Sequence, residues 1–128
     1  MAWEATGPYI TLPQTTGLRR GRFVAVNTAG KLVYPALGDF KVIGVLVSEG
    51  TTGSATTPKR GGTVQIQGVA KVEAAGGTLA RGAVVQSSSV GRAKASTAGA
   101  FAVGTCVAGT SGSTNRMLSV LLNFGGTT

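Results

Sequence analysis

Short apolar runs, separated by polar turns that contain glycine, follow one another along this chain. The runs are rich in Val and Ile, which is typical of β-strands rather than helices. The most apolar run, residues 40–47, is interrupted by Gly44 and predicts a central strand with a bulge or a close backbone approach at that glycine. Further on, an alternating pattern predicts a single half-buried strand, with Val64, Ile66, Ala70 and Val72 on one face and Gln65, Gln67 and Lys71 on the other.

One of these patterns occurs twice. Residues 18–33, LRRGRFVAVNTAGKLV, predict a β-hairpin with Gly30 in its turn, where a positive φ costs glycine least. A similar segment, LARGAVVQSSSVGRAK, follows 61 positions later and aligns Leu79 with Leu18, Arg81 with Arg20, Gly82 with Gly21 and Gly91 with Gly30. The closing strands, residues 63–67 and 117–121, also correspond. We interpret this as a duplication; chance likeness between Gly- and Val-rich stretches is the alternative.

The repeat predicts an all-β fold, a small barrel or sandwich made of two similar hairpin-containing halves. We place the halves at about residues 17–73 and 78–124, joined by residues 73–78, in a single β domain over residues 15–128. Residues 1–14 stand outside the repeat, and Pro8 and Pro13 exclude a helix or a central strand there. An extended N-terminal arm is therefore predicted, which either packs back on the domain or adds a strand to a neighbour's sheet edge.

The composition of the chain indicates a folded protein with many contacts. With 128 residues, a single domain is expected. Charged residues make up 12%, about half of the usual share, and the mean hydropathy of +0.25 opposes disorder. Because depletion of charge is a property of interface centres, we infer that much of the surface faces other subunits.

Positive charge nevertheless dominates: 12 Lys and Arg against four acids give a net charge of +8. This balance fits an anionic partner, either nucleic acid or an acidic protein surface. The contact candidates form two groups: Arg19, Arg20 and Arg22 in the first hairpin, and Lys59 and Arg60 in the polar loop at 49–62. For the arginine triplet, a solvated turn is the alternative.

The residues that commonly carry catalysis are missing or scattered. The chain has no His, and its four acids are Glu4, Asp39, Glu49 and Glu73. Cys106 lies in an apolar run without a partner base, which indicates an inert core thiol. Metal-ligand spacing and phosphate-binding glycine loops are absent from the sequence. We therefore predict a protein that is not an enzyme, with no catalytic, cofactor-binding or metal residues, no cofactor and no small-molecule substrate.

Membrane and nucleic-acid partners are both disfavoured by the sequence. No apolar run approaches membrane-spanning length, and the first residues lack the pattern of a signal peptide, so we expect a soluble protein used without export. A small barrel that stacks single-stranded bases needs aromatic side chains among its basic residues. Phe23 alone stands beside a basic cluster, which makes nucleic acid the weaker partner class.

The order of these segments resembles that of the small head decoration, or capsid cement, proteins of tailed bacteriophages. The likeness lies in RGRFVAVNTAGKLV, FKVIGVLVSEGTTGSA, GGTVQIQGVAKVEA and ARGAVVQSSSVGRA, over about residues 17–108. It is a likeness of pattern and composition, in which an apolar strand is followed by a turn glycine and a Gly-Val strand with a small-residue tail.

The resemblance implies a structural virion protein, made in the host cytoplasm, that decorates and cements the outer surface of an expanded bacteriophage capsid. Such a protein is often a homotrimer, and it stabilises the capsid by clamping neighbouring major capsid proteins together. An N-terminal segment that extends a capsid subunit's sheet maps onto this chain with Trp3, Tyr9, Ile10 and Leu12 as the anchors. A minor structural part of a tail or baseplate is an alternative with the same composition.

Overall fold

The computed structural model describes residues 8–36, 41–50, 61–76, 79–108 and 116–127. Trp3, Lys59 and Arg60, three of the predicted contact residues, lie outside these ranges. Within them the chain forms strands and turns but no helix, so the all-β prediction is confirmed.

Two five-stranded antiparallel sheets pack against each other in a sandwich-like arrangement and are not closed into a barrel. The first sheet contains Tyr9–Leu12 (β1), Arg22–Val26 (β2), Leu32–Val33 (β3), Val42–Ser48 (β4) and Gly62–Gln65 (β5). The second contains Val69–Glu73 (β6), Val84–Ser87 (β7), Ala93–Ala95 (β8), Phe101–Ala108 (β9) and Met117–Thr127 (β10).

The two sheets have the same strand order. The order is β1-β5-β4-β2-β3 in the first sheet and β6-β10-β9-β7-β8 in the second. Adding five to each strand number of the first order gives the second. In each sheet one isolated parallel bridge joins the two edges, Gln14 to Leu32 in the first and Ala74 to Ala93 in the second. Each half of the chain therefore builds one sheet by the same plan.

The hairpin turns show how the sequence produces this plan locally. In the first turn Asn27 Oδ1 accepts hydrogen bonds from the backbone N–H groups of Ala29 and Lys31, both at 3.0 Å. In the second, Ser88 Oγ accepts from the N–H of Arg92 at 3.0 Å. Gly30 and Gly91 take φ values of 78° and 77°, which glycine adopts without steric cost.

Gly44 and its counterpart Gly104 allow neighbouring strands to approach closely, because they have no side chain. A Cβ atom at Gly44 would overlap the carbonyl oxygen of Gln65, and one at Gly104 would overlap that of Leu121. The register between β2 and β4 also shifts next to Gly44, so the prediction of a bulge with close approach there is confirmed.

The prediction of a single half-buried strand through residues 64–72 is wrong. Val64 lies in β5 of the first sheet, whereas Ala70 and Val72 lie in β6 of the second. Gly68, with φ of 84°, turns the chain between them. The apolar alternation continues through the turn, so the pattern gives no signal that the chain changes sheets. For the same reason the link between the sheets falls at residues 66–68 and not at 73–78.

The cores of the two halves differ although their strand orders agree. The first-half cluster is formed entirely by first-half residues: Leu18, Val24, Leu32, Leu46 and Val64. The larger cluster belongs mainly to the second sheet but includes Phe23, Val42 and Val45 of the first. Where the first unit has Leu32 and Gln14 at its bridge, the second has Ala93 and Ala74. The smaller side chains leave room in the second unit, and we infer that Phe23 fills it.

Candidate docking surface

An open cleft of about 700 Å³ lies between the two halves. We call it the basic cleft, and its lining residues are Arg19, Arg20, Val47, Ser48, Glu49, Glu73 and Met117. The side chains of Arg19 and Arg20 are exposed, and that of Met117 is 48% exposed. The cleft thus combines two exposed cationic side chains and an apolar one with two carboxylates, of which Glu49 is exposed and Glu73 is paired with Arg22 and Arg92.

Backbone hydrogen bonds fix the segment that carries the two exposed arginines. The N–H of Arg19 donates to the Tyr34 hydroxyl at 3.0 Å, and the N–H of Arg20 donates to Glu49 Oε1 at 3.0 Å. Next in the chain, Gly21 donates to the carbonyl of Leu46 at 2.7 Å. The arginine side chains therefore project from a fixed backbone, which lowers the entropy lost when they bind a partner.

Arg22, the third member of the predicted triplet, lies in the protein interior. Its side chain is 7% exposed and its Nη2 stands 3.1 Å from Glu73 Oε2. Arg22 Nε also donates to that oxygen at 3.2 Å. Because the pair joins β2 of the first sheet to β6 of the second, it fastens the two halves and cannot meet an external surface.

The same carboxylate holds a second cation. Arg92 Nε lies 3.5 Å from Glu73 Oε2, and the Arg22 guanidinium stacks over the Tyr34 ring at 5.6 Å from its centroid. Arg22 Nη1 also reaches the carbonyl oxygen of Val90 at 3.4 Å. Two arginines, one glutamate and an aromatic ring thus form a shared polar network under the cleft.

Of the four predicted arm anchors, the three that the structure describes differ in exposure. Tyr9, Ile10 and Leu12 lie in β1, which pairs antiparallel with β5 as an edge strand of the first sheet. Tyr9 is 52% exposed, but Ile10 and Leu12 are half-buried against the first-half core. Trp3 lies outside the described residues.

Cys106 is fully buried, as the sequence indicates. Burial raises the pKa of its thiol, a shift that a backbone hydrogen bond and the charge of Arg81 only reduce. The raised pKa keeps the thiol protonated near neutral pH, which makes it a poor nucleophile.

Two features of the surface escaped the sequence analysis. The sequence pattern places Glu73 in a linker, although its carboxylate pairs with two arginines, and it places Met117 only in a strand. Exposed apolar side chains also occur on the outer face of the second sheet, among them Val69, Val84 and Leu121. A signal existed for Val69, because it interrupts the polar face of an alternating stretch that includes Gln67 and Lys71.

Comparison with protein-family models and with curated proteins finds no match for this chain. The part of the chain that the structure describes holds no group of three or more His, Cys, Asp or Glu suited to a metal ion. It also has no helix of the length and apolarity needed to cross a membrane. The function is therefore inferred from the surfaces described above.

Proposed function

We propose that this chain is a structural virion protein that binds the outer surface of a bacteriophage capsid and stabilises the contacts between major capsid proteins. The observation that carries the proposal is the basic cleft, where Arg19 and Arg20 stand exposed beside Met117. Arg and Met are both enriched at protein interfaces. An acidic protein surface would complement the cleft and the net charge of +8.

The position of the aromatic residues favours a protein partner over nucleic acid. Phe23 is fully buried between the halves, so it cannot stack on a base. Tyr34 is half-buried, and its hydroxyl accepts from the N–H of Arg19 and donates to the carbonyl of Gly17 at 3.2 Å. The aromatic side chains beside the cleft are thus already committed to the fold.

The N-terminal segment would contribute in a narrower way than the resemblance implies. Because Ile10 and Leu12 pack on the chain's own core, releasing β1 to join another sheet would expose apolar surface. We propose that β1 stays in its sheet and that Tyr9, together with residues 1–7, makes the capsid contact. Binding of this kind stabilises an assembled shell by mass action, since only the assembled state offers the docking site.

The cleft is tested by co-sedimentation with expanded empty capsids over a series of salt concentrations. The double variant Arg19→Gln, Arg20→Gln should bind more weakly than the wild type and with a smaller salt dependence, because two charge contacts are lost. The matched control, Lys31→Gln with Arg81→Gln, has the same net charge but leaves the cleft lining intact. Arg22 is left unchanged because replacing it would remove the closest counter-charge of Glu73.

Two results would contradict the proposal. A wild-type chain that remains in the supernatant with capsids would exclude capsid binding. A wild-type chain that instead co-sediments with single-stranded DNA in a salt-dependent way would make nucleic acid the partner.

The N-terminal contact is tested separately. Deleting residues 1–7 retains β1 and should preserve the thermal unfolding midpoint while reducing capsid binding. Deleting residues 1–12 would also remove an edge strand, so it tests stability rather than docking. Undiminished capsid binding by the shorter deletion would exclude those seven residues from the contact.

A further inference from the structure

Four residues form a continuous row across the outer face of the second sheet. Val69 pairs with Leu121, Leu121 with Thr105 and Thr105 with Val84, so the row crosses β6, β10, β9 and β7. Directly paired residues of antiparallel strands point to the same face. Val69 is 54% exposed, Leu121 44% and Val84 41%. We call these four residues the outer row.

The repeat shows what this face does in the other half. The equivalent row of the first sheet is Tyr9, Gln65, Val45 and Phe23, paired in the same way across β1, β5, β4 and β2. Phe23 and Val45 are fully buried in the cluster shared with the second half. In the first sheet this face therefore packs against the other half of the chain. The outer row lies on the equivalent face of the second sheet, and no described residue covers it.

The charges around the outer row indicate its partner. Lys71 lies two residues after Val69 in β6, on the same face of the strand. Lys94 pairs with Gln86, which lies two residues after Val84 in β7. Because β6 and β7 run in opposite directions, the two lysines flank the row on opposite sides. Among the described residues the acids are Glu49 and Glu73, and both line the basic cleft. Glu73 follows Lys71 by two positions on the same face of β6, but its carboxylate is already paired with Arg22 and Arg92.

The row is a short strip of the sheet face. Four strands at a spacing of about 4.8 Å give it a length of about 14 Å. Exposed apolar side chains that form a contiguous patch rimmed by polar groups mark interaction sites on soluble proteins. A second copy of this chain would bring the same two lysines and a net charge of +8 to the contact, so like charges oppose self-docking.

We propose that the outer face of the second sheet is a second docking surface, and that it binds an acidic protein surface with an apolar strip bordered by carboxylates. Val69, Leu121 and Val84 supply the apolar contact, while Lys71 and Lys94 pair with the carboxylates. In identifying the partner as a second capsid subunit, the inference rests on the proposed function. The outer row adjoins the cleft, because Val69 and Lys71 line a smaller depression together with Arg20 and Met117. One molecule would then hold two neighbouring subunits, one at the basic cleft and one along the outer row. The two contacts together bind more tightly than either alone because the second one forms at a high effective concentration.

The test compares Leu121→Glu and Val84→Glu with the wild type in co-sedimentation with expanded empty capsids and in thermal melting of the decorated capsids. Thr28→Glu is the matched control, since Thr28 is exposed, lies in the first hairpin turn outside the row and the cleft, and receives the same change of charge. A glutamate in the row removes an apolar contact and repels carboxylates of the partner. The row variants should bind capsids about 10²-fold more weakly than the wild type, because linking two contacts in one molecule can raise the affinity by that factor. They should also no longer raise the capsid melting temperature. The control should behave like the wild type.

The outcomes separate this inference from the proposed function. If the wild type binds capsids and the row variants bind and stabilise them as Thr28→Glu does, the second docking surface is refuted and the cleft contact stands. If the wild type does not bind capsids, the proposed function fails first. If the row variants change the sedimentation mass of the free chain from an oligomer to a monomer, the face binds a second copy and the acidic partner is refuted.

Discussion

Phe23 and Val84 occupy the same position in the two repeat units, but the structure predicts opposite consequences when each is truncated. Phe23 is fully buried in the cluster that joins the sheets, and its N–H donates to the carbonyl of Gly91 at 2.7 Å. Val84 is 41% exposed on the outer face of the second sheet. Phe23→Ala would open a cavity between two backbones that hydrogen bonds hold in place, which limits collapse of the cavity.

Burial sets the expected magnitudes. Truncation of a buried Phe costs about 3–5 kcal/mol, and the fixed surroundings place Phe23→Ala at about 4 kcal/mol. For a chain of this length each kcal/mol corresponds to about 4 °C, so the thermal midpoint should fall by about 16 °C. Val45→Ala, which removes two methyl groups from the same contact, should cost about 2 kcal/mol. Val84→Ala should change the free energy of unfolding by no more than about 0.5 kcal/mol.

Urea unfolding followed by far-ultraviolet circular dichroism measures these differences, at protein concentrations low enough to prevent association. Val45→Ala serves as the milder variant in case Phe23→Ala does not fold. The reasoning is refuted if Val84→Ala destabilises the chain as much as Val45→Ala, because the two equivalent faces would then be equally buried.

Four further predictions concern the polar network, the thiol and the close strand approach. Glu73→Gln should lower the free energy of unfolding by about 3 kcal/mol, since it leaves the buried Arg22 without its counter-charge. A loss below about 1 kcal/mol in urea unfolding would show that the other contacts of Arg22 are enough to stabilise its buried charge. Cys106 should react with a disulfide reagent only as fast as the chain unfolds, so fast labelling of the native protein would contradict its burial. Because burial raises the pKa of this thiol in the folded chain, its contribution to stability should be complete below the pKa of the unfolded chain and should decline as the pH rises through the pKa of the folded chain. Urea titrations at alkaline pH should show this decline for the wild type and not for Cys106→Ala. Gly104→Ala should cost about 1–3 kcal/mol, because the new methyl group would overlap the carbonyl oxygen of Leu121; an unchanged urea midpoint would show that β9 and β10 can separate at no cost.

Local sequence determined the two hairpin turns of this protein and several of its strands. A turn depends on a few neighbouring residues, so Asn27 with Gly30, and Ser88 with Gly91, specify the two hairpin turns wherever the hairpins pack. Likewise Gly44 signalled a close strand approach, and Cys106 in its apolar run signalled a buried thiol. The all-β class and the two-fold repeat follow from the same local patterns.

The candidate site could be predicted only in part. The arginine triplet in the sequence pointed to a basic surface, and Arg19 and Arg20 are exposed there. Arg22 has the same chemistry and lies two positions further on, yet it is buried against Glu73. The two residues are 51 positions apart in the chain, so no local pattern connects them.

Tertiary structure decided which face of each unit is covered. The alternation through residues 64–72 is the same whether the chain stays in one sheet or turns at Gly68 into another. Phe23 and Val84 stand at equivalent positions of equivalent strands, but Phe23 is buried in a cluster that includes Ala74 and Ala93 of the other half, whereas Val84 is exposed. Packing between distant segments, rather than the periodicity of either one, therefore separates the buried face of the first unit from the open face of the second.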